Sequence, residues 1–164
     1  MTMDDTILAG SPAGEQIKRD VHAEAAVVIS RSVAWSAAAA VVPVPYVDLL
    51  ALGAVQVKMV RDLAGVYGVD ASSETLQAVI SALLGTLAPA AISGSLLGSA
   101  LKVVPVGGTI LGSVGLAAFG SAATYAIGKI FVRHFEAGGT LKSFSAAAVE
   151  EDLKKEFSAA RARA

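Results

Sequence analysis

The nearest approach to a nucleotide-binding motif in this chain is the glycine-rich run GGTILGS at residues 107–113. A phosphate-binding P-loop has a lysine directly before its hydroxyl residue, because that lysine reaches the β- and γ-phosphates of the nucleotide. Here the hydroxyl residue Ser113 directly follows Gly112, and the lysine is missing. The run is therefore more typical of close helix packing than of phosphate binding.

The other residue types that perform chemistry are sparse and scattered. The chain has no cysteine, which excludes a disulfide framework, a thiolate metal site and a cysteine nucleophile. His22 and His134 lie far apart in the sequence, and neither belongs to a metal-binding spacing such as HExxH. Asp48 is a better candidate for a helix cap than for a polar pocket. We therefore predict a protein that is not an enzyme and has no cofactor and no metal ion.

Composition restricts the environment without deciding it. Hydrophobic residues make up 54% of the chain and charged residues 16%, and the mean hydropathy is +0.63. These values exclude a disordered protein, but alanine supplies much of the hydropathy and suits packed soluble helices as well as lipid. The formal net charge of −1 argues against a nucleic-acid-binding protein, which normally has a basic face or tail.

The elements that would position any site are dominated by two long apolar segments. Between Glu74 and Lys129 the only charged residue is Lys102. The stretches 75–101 and 103–128 are each about 25 residues long, enough for a helix to cross a hydrocarbon core of about 30 Å. Pro and Gly residues around Lys102 favour a tight reversal there. We therefore expect a helical hairpin over residues 74–133, inserted in a lipid bilayer.

Glycines recur at four-residue intervals in both apolar segments, which is the pattern that lets helix backbones approach closely in a membrane. The predicted helix-packing glycines are Gly94, Gly98, Gly108, Gly112, Gly120 and Gly128. Thr124 continues the series between the last two. This pattern predicts a tightly packed hairpin and favours self-association of the chain.

Amphipathic helices are predicted on both sides of this hairpin. Residues 1–10 read as a flexible tail, 11–141 as the membrane-associated domain, and 142–164 as a C-terminal amphipathic helix. The apolar run around Trp35 is shorter than the roughly 20 residues that a spanning helix needs, so we expect a helix packed on partners or lying partly in the membrane interface. The fold class is therefore an all-α, multi-helix membrane-associated bundle.

The distribution of positive charges predicts the orientation of such a bundle in the membrane. Apart from Lys102, every Lys and Arg lies before Glu74 or from Lys129 onward, so the positive-inside rule puts both termini in the cytoplasm. Lys58, Arg61, Lys129 and Arg133 are the candidates for contact with lipid headgroups or a protein partner.

Several local patterns between residues 42 and 141 occur together in one order. They are Pro43-Val44-Pro45 with Asp48, Ala51-Leu52, Gln56, Lys58-Met59, Leu63-Ala64, Tyr67-Gly68, Val104 to Gly108, Ala123 to Lys129, and His134-Phe135-Glu136. In this order and spacing the segment resembles the bacterial family called domain of unknown function 697, the YcjF-like proteins. The resemblance implies a helical membrane-associated module of the bacterial inner membrane, with no established catalysis and with a separate small GTPase as a partner, since this chain has no GTPase domain.

Two functional hypotheses follow from these observations. In the first, a non-enzymatic bacterial membrane module anchors, remodels or scaffolds at the membrane, with a lipid bilayer as its partner. In the second, a soluble helical protein hides its apolar hairpin in a homo-oligomeric shell or pore-like assembly, which alanine and glycine richness also permits. Neither hypothesis involves nucleic acid.

Overall fold

The computed structural model describes residues 11–39, 47–93 and 107–163. Over these residues the chain forms five α-helices and a short 3-10 turn, with no strand. The helices are α1 (Pro12–Ala39), α2 (Val47–Val66), α3 (Ser73–Ser93), α4 (Gly107–Glu136) and α5 (Glu150–Arg161), with the 3-10 turn at Leu141–Ser143. The all-α prediction is confirmed for this part of the chain. The predicted tail 1–10, the hairpin tip at Lys102, and Gly94 and Gly98 lie outside the described residues.

Local sequence signals explain where these helices begin and end. Ser11 caps α1: its Oγ accepts a hydrogen bond from the Gly14 amide at 3.1 Å, and Pro12 follows as the first helical residue. Beyond α2 and α4 the chain reverses at Gly68 and Gly138, whose φ angles are +66° and +77°. At both glycines the amides bond back to carbonyls of the preceding helix. This glycine arrangement satisfies carbonyls that a helix end leaves unpaired.

The core is organised around α4. This helix packs mainly on α1 and α5 and also contacts α2, while α3 packs on α2. The fully buried large side chains come from four helices, which shows that one apolar interior joins them: Met59, Val60, Leu63, Leu76, Ile80, Leu83, Leu87, Ile127, Phe131, Leu153 and Phe157. α5 closes this core through Leu153 and Phe157, and the Phe119 and Phe157 rings meet edge to face at 5.4 Å.

The two faces of α3 differ in side-chain size. Its large aliphatic residues recur at helical spacing and are buried on α2 and its neighbours: Leu76, Ile80, Leu83 and Leu87. Its exposed positions are small or polar: Ser73, Glu74, Gln77, Ala78, Ser81, Ala82, Gly85, Ala88 and Pro89. The described part of α3 is thus an amphipathic helix whose apolar face is covered by its own chain.

The packing of the predicted hairpin differs from the expectation. Within the described residues α3 and α4 contact each other far less than α4 contacts α1. None of the helices that the structure describes combines the length and the apolar character needed to traverse a bilayer. The C-terminal region also differs, since a 3-10 turn and a second turn precede the helix, which begins at Glu150 instead of directly after 141.

Candidate functional site

The exposed large hydrophobic side chains of the described residues all lie on α1. They are Ile17, Val27 and Trp35, which are 61%, 62% and 65% exposed. Val27, Arg31 and Trp35 follow one another at four-residue spacing and therefore share one face of the helix. Burial of such side chains is normally favourable by about 1.5–3 kcal/mol each, so an uncovered pair on one face indicates a contact surface. We call Val27, Arg31 and Trp35 the α1 outer face.

A cluster of positive charge connects this face to α2. The Asp62 carboxylate is shared between Arg31, at 3.6 Å, and Lys58, at 2.8 Å. Arg61 is next to Asp62 in the sequence, but its guanidinium is directed to Ser73 of α3, so the cluster holds three cations, two of which pair with one acid. Both ion pairs are solvent-exposed and therefore weak, which leaves the cations available to an anionic ligand. We call Arg31, Lys58 and Arg61 the basic cluster.

On its far side the basic cluster borders a groove between α2 and α3. The groove has a volume of about 530 Å³. It is lined by Gly53, Ala54, Val57, Lys58, Arg61, Gln77, Ile80, Ser81 and Leu84. The Arg61 guanidinium donates a hydrogen bond to Ser73 Oγ at 2.6 Å, which ties the end of α2 to the start of α3. The α1 outer face and this groove are therefore joined through Asp62 and Lys58.

The four cations predicted to contact headgroups or a partner are divided by the structure. Lys58 and Arg61 line the α2–α3 groove together. Arg133 instead pairs with Glu156 of α5 at 3.2 Å. Lys129 is half-buried on α4 and forms no ion pair with another described residue. Arg31, which the sequence interpretation did not select, completes the cluster, and its signal was its position midway between Val27 and Trp35.

Two of the predicted packing glycines have close neighbours on other helices. A Cβ added to Gly128 would lie 2.7 Å from Ile29 Cγ1 of α1, so a larger residue requires Ile29 to move. A Cβ on Gly120 would lie 3.3 Å from Leu52 Cδ1 of α2. Gly108 and Gly112 lie in the first turns of α4. The helix-packing role of the six glycines as a set stays a prediction.

A buried polar junction lies where α1, α2 and α4 cross. Thr124 Oγ1 is 2.6 Å from Ser36 Oγ, accepts a hydrogen bond from Gln56 Nε2 at 2.7 Å, and donates one to the Gly120 carbonyl. Ser36 is 2% exposed and the other two side chains are fully buried. Gln56 Oε1 is buried with no hydrogen-bond partner among the described residues. The sequence interpretation placed Thr124 in the glycine series but did not predict this junction.

The histidines form local contacts. His22 Nδ1 lies 3.2 Å from Glu136 Oε1, which also accepts a hydrogen bond from the Tyr67 hydroxyl at 2.9 Å. Partial burial, with the hydrogen bond to Glu136, raises the pKa of Tyr67 well above its usual range. His134 Nε2 lies 2.9 Å from the Thr140 carbonyl oxygen, and its ring contacts Phe144. These contacts join helix ends and do not assemble a nucleophile, a base and an orienting group.

Comparison with known proteins assigns a family to this arrangement. The family described as a domain of unknown function (DUF697) matches residues 10–161. The chain belongs to the DUF697 family. This confirms the resemblance found in the sequence and extends it to nearly the whole chain. The DUF697 chain is also 33% identical over 160 residues to Magnetosome membrane protein 22 of Magnetospirillum gryphiswaldense, covering 98% of this chain and 81% of the relative. No solved structure matches it.

Several residues that carried the resemblance now have positions in this DUF697 fold. Gln56 and Thr124 form the buried polar junction, and Lys58 lines the α2–α3 groove. Tyr67 reaches from the end of α2 to Glu136 at the end of α4. The patterns therefore include contacts between helices as well as apolar packing.

Proposed function

We propose that this DUF697 protein is a non-enzymatic module that associates with the surface of a bacterial membrane through the α1 outer face and the basic cluster. The observation that carries the proposal is the exposure of Val27 and Trp35 on either side of Arg31. A surface with large apolar side chains beside exposed cations is typical of a helix that lies in the membrane interface.

The similarity to a protein named as a magnetosome membrane protein supports membrane association as the general role. Within that general role, a module that binds a membrane without catalysing a reaction could anchor, remodel or scaffold at that membrane. Insertion of the hairpin 74–133 in the inner membrane, cytoplasmic termini, a separate small GTPase partner and the division into domains stay predictions from the sequence.

The energies of the surface residues are sufficient for reversible binding. Burying a large apolar side chain contributes about 1.5–3 kcal/mol, and Val27 and Trp35 supply two of them. Each Lys or Arg near an anionic leaflet contributes about 1 kcal/mol more. The sum is several kcal/mol, in the range of interfacial helices that bind and release. The electrostatic part should weaken with salt, because added ions screen exposed charges.

The chain provides its own probe for the test, since Trp35 is the sole tryptophan. Mixing the protein with phosphatidylglycerol-containing vesicles should shift the Trp35 emission to shorter wavelength as the indole leaves water, and vesicles of phosphatidylcholine alone should shift it less. Val27→Glu retains the probe and places a carboxylate on the same face, so it should abolish the shift. Ala159→Glu, at an exposed position of α5, is the matched control and should shift like the wild type.

Two results would contradict this proposal. One is an unchanged Trp35 emission at every concentration of anionic vesicles. The other is a shift that Val27→Glu leaves intact, because the contact would then lie elsewhere on the molecule.

A homo-oligomer is the second candidate function, and a feature of α1 favours it. Small residues are exposed on this helix at four-residue spacing: Ala26, Ser30, Ala34 and Ala38. Such a series permits close approach of a second helix. Light scattering in detergent-free buffer should then find a discrete oligomer that Ala34→Leu dissociates. A monomer at all protein concentrations would rule out this second candidate.

A further inference from the structure

The α2–α3 groove changes character along its length. Arg61 bonds to Ser73 at one end, where α2 ends and α3 begins, so Gly53, Ala54 and Leu84, which lie farther along the two helices, line the other end. The Arg61 end therefore carries charged and polar side chains, including Lys58 and Gln77. The Gly53 end is mainly apolar, with Ala54, Val57 and Leu84 beside the single hydroxyl of Ser81. A ligand that fits this groove should have an anionic end and an apolar end.

The polar end of the groove presents two cations, Lys58 and Arg61. Lys58 shares Asp62 with Arg31, whereas Arg61 donates a hydrogen bond to the neutral hydroxyl of Ser73. An anion with several acceptor oxygens could accept from both cations. Charge-assisted hydrogen bonds of this kind are about twice as strong as neutral ones, and phosphate is a preferred acceptor for arginine.

The apolar end has room for a chain. A Cβ built on Gly53 meets no atom within 4 Å, and Val57 and Leu84 are only partly buried beside it. The floor is the buried side chain of Ile80. The total volume of about 530 Å³ lies within the range of roughly 300–1,000 Å³ found for small-molecule sites.

From this geometry we infer that the α2–α3 groove binds a single anionic phospholipid molecule. Its phosphate lies between Lys58 and Arg61, and one acyl chain extends past Val57 and Leu84 toward Gly53. The inference deepens the proposed membrane association and rests on it, since the bilayer supplies the lipid through the adjoining α1 outer face. It adds a defined lipid site to a surface that otherwise binds the membrane without selecting molecules.

The test uses short-chain lipids below their micelle concentration, so that no bilayer is present. Calorimetric titration with dihexanoyl phosphatidylglycerol should show one site, and dihexanoyl phosphatidylcholine should bind more weakly. Glycerol phosphate, which has the anionic group but no chain, should not compete at equal concentration. Arg61→Gln should weaken binding about tenfold or more, because it removes a charge-assisted bond. Lys155→Gln, an exposed cation of α5, is its control and should bind as the wild type does.

A second pair of variants tests the chain end. Gly53→Leu places a side chain in the open apolar end and should weaken phosphatidylglycerol binding about tenfold or more without disturbing the fold. Gly65→Leu makes the same change on the same helix, also where a Cβ meets no atom, but outside the groove lining. It should bind lipid normally.

The outcomes separate this inference from the proposed function. Gly53→Leu should retain the vesicle-induced shift of Trp35, and Val27→Glu should retain short-chain lipid binding. If dihexanoyl phosphatidylglycerol does not bind while vesicles still shift Trp35, the lipid site is overturned and membrane association stands. Binding that Gly53→Leu leaves unchanged, or that glycerol phosphate displaces equally well, also overturns the site.

Discussion

α1 and α3 are both long helices rich in alanine and aliphatic residues, yet they distribute these residues in opposite ways. α3 buries Leu76, Ile80, Leu83 and Leu87, and its exposed positions are small or polar. α1 buries Ala25, Val28, Ile29 and two serines, and leaves Val27 and Trp35 exposed. α3 looked more apolar than α1 in the sequence, yet α3 is the helix that buries most of its large side chains against the rest of the chain.

This difference teaches that mean hydropathy does not show which helix face needs a partner. The free energy of leaving a helix in water depends on the apolar area that stays exposed. Over the described side chains of α3 no large hydrophobic residue is fully exposed, whereas α1 exposes Val27 and Trp35. Among the described residues, the surface that would gain most from a binding partner is therefore on α1.

The largest expected effect tests the covered side of α3. Leu83 is fully buried, so Leu83→Ala should lower the free energy of unfolding by about 2–5 kcal/mol through lost burial and the cavity left behind. Urea unfolding followed by circular dichroism measures this. Ser81→Ala, on the exposed face, should change stability by no more than about 0.5 kcal/mol. Equal effects of the two substitutions would show that α3 has no inward face.

The next largest effect tests the contact between the buried face of α1 and α4. Gly128→Ala brings a methyl group to 2.7 Å from Ile29 Cγ1, and such overpacking should cost about 1–3 kcal/mol. Gly85→Ala on the open face of α3 should instead stabilise the protein by up to about 1 kcal/mol, because alanine favours the helix. Ile29→Ala should suppress the cost of Gly128→Ala in a double-mutant cycle. Additive effects would mean that Gly128 and Ile29 do not touch.

A smaller effect tests the polar junction that fixes α1 on α2 and α4. Thr124→Val removes the acceptor of Gln56 Nε2 and the partner of Ser36, and should cost about 1–3 kcal/mol by leaving buried polar groups unpaired. Thr86→Val is the control, because the Thr86 hydroxyl donates its hydrogen bond within its own helix, to the Ala82 carbonyl. If both variants unfold at the same urea concentration, the junction does not contribute to stability.

The sequence predicts where the helices of this fold lie better than it predicts which helices pack against one another. Apolar periodicity and the signals at Ser11, Gly68 and Gly138 are local, so the all-α class and several helix ends followed from them. The partner of each face depends on the tertiary arrangement, and this is why the sequence did not reveal that Gly128 lies beside Ile29 of α1. In the candidate site, Lys58 and Arg61 were predictable as exposed cations on one helix. Their grouping with Arg31 was not, because Asp62 links residues from two helices.

The smallest expected effect on stability concerns Trp35. A small effect would show that this α1 side chain lies outside the core, unlike the leucines of α3. A side chain that is 65% exposed contributes little to the folded state, so Trp35→Ala should change the free energy of unfolding by no more than about 0.5 kcal/mol. Phe131→Ala removes a fully buried aromatic ring and should cost about 3–5 kcal/mol under the same urea and circular dichroism conditions. The Trp35 variant should nevertheless float with anionic vesicles less than the wild type, since its indole is proposed to enter the membrane interface. A Trp35→Ala protein destabilised by more than about 2 kcal/mol would place this ring in the core and reverse the contrast between α1 and α3.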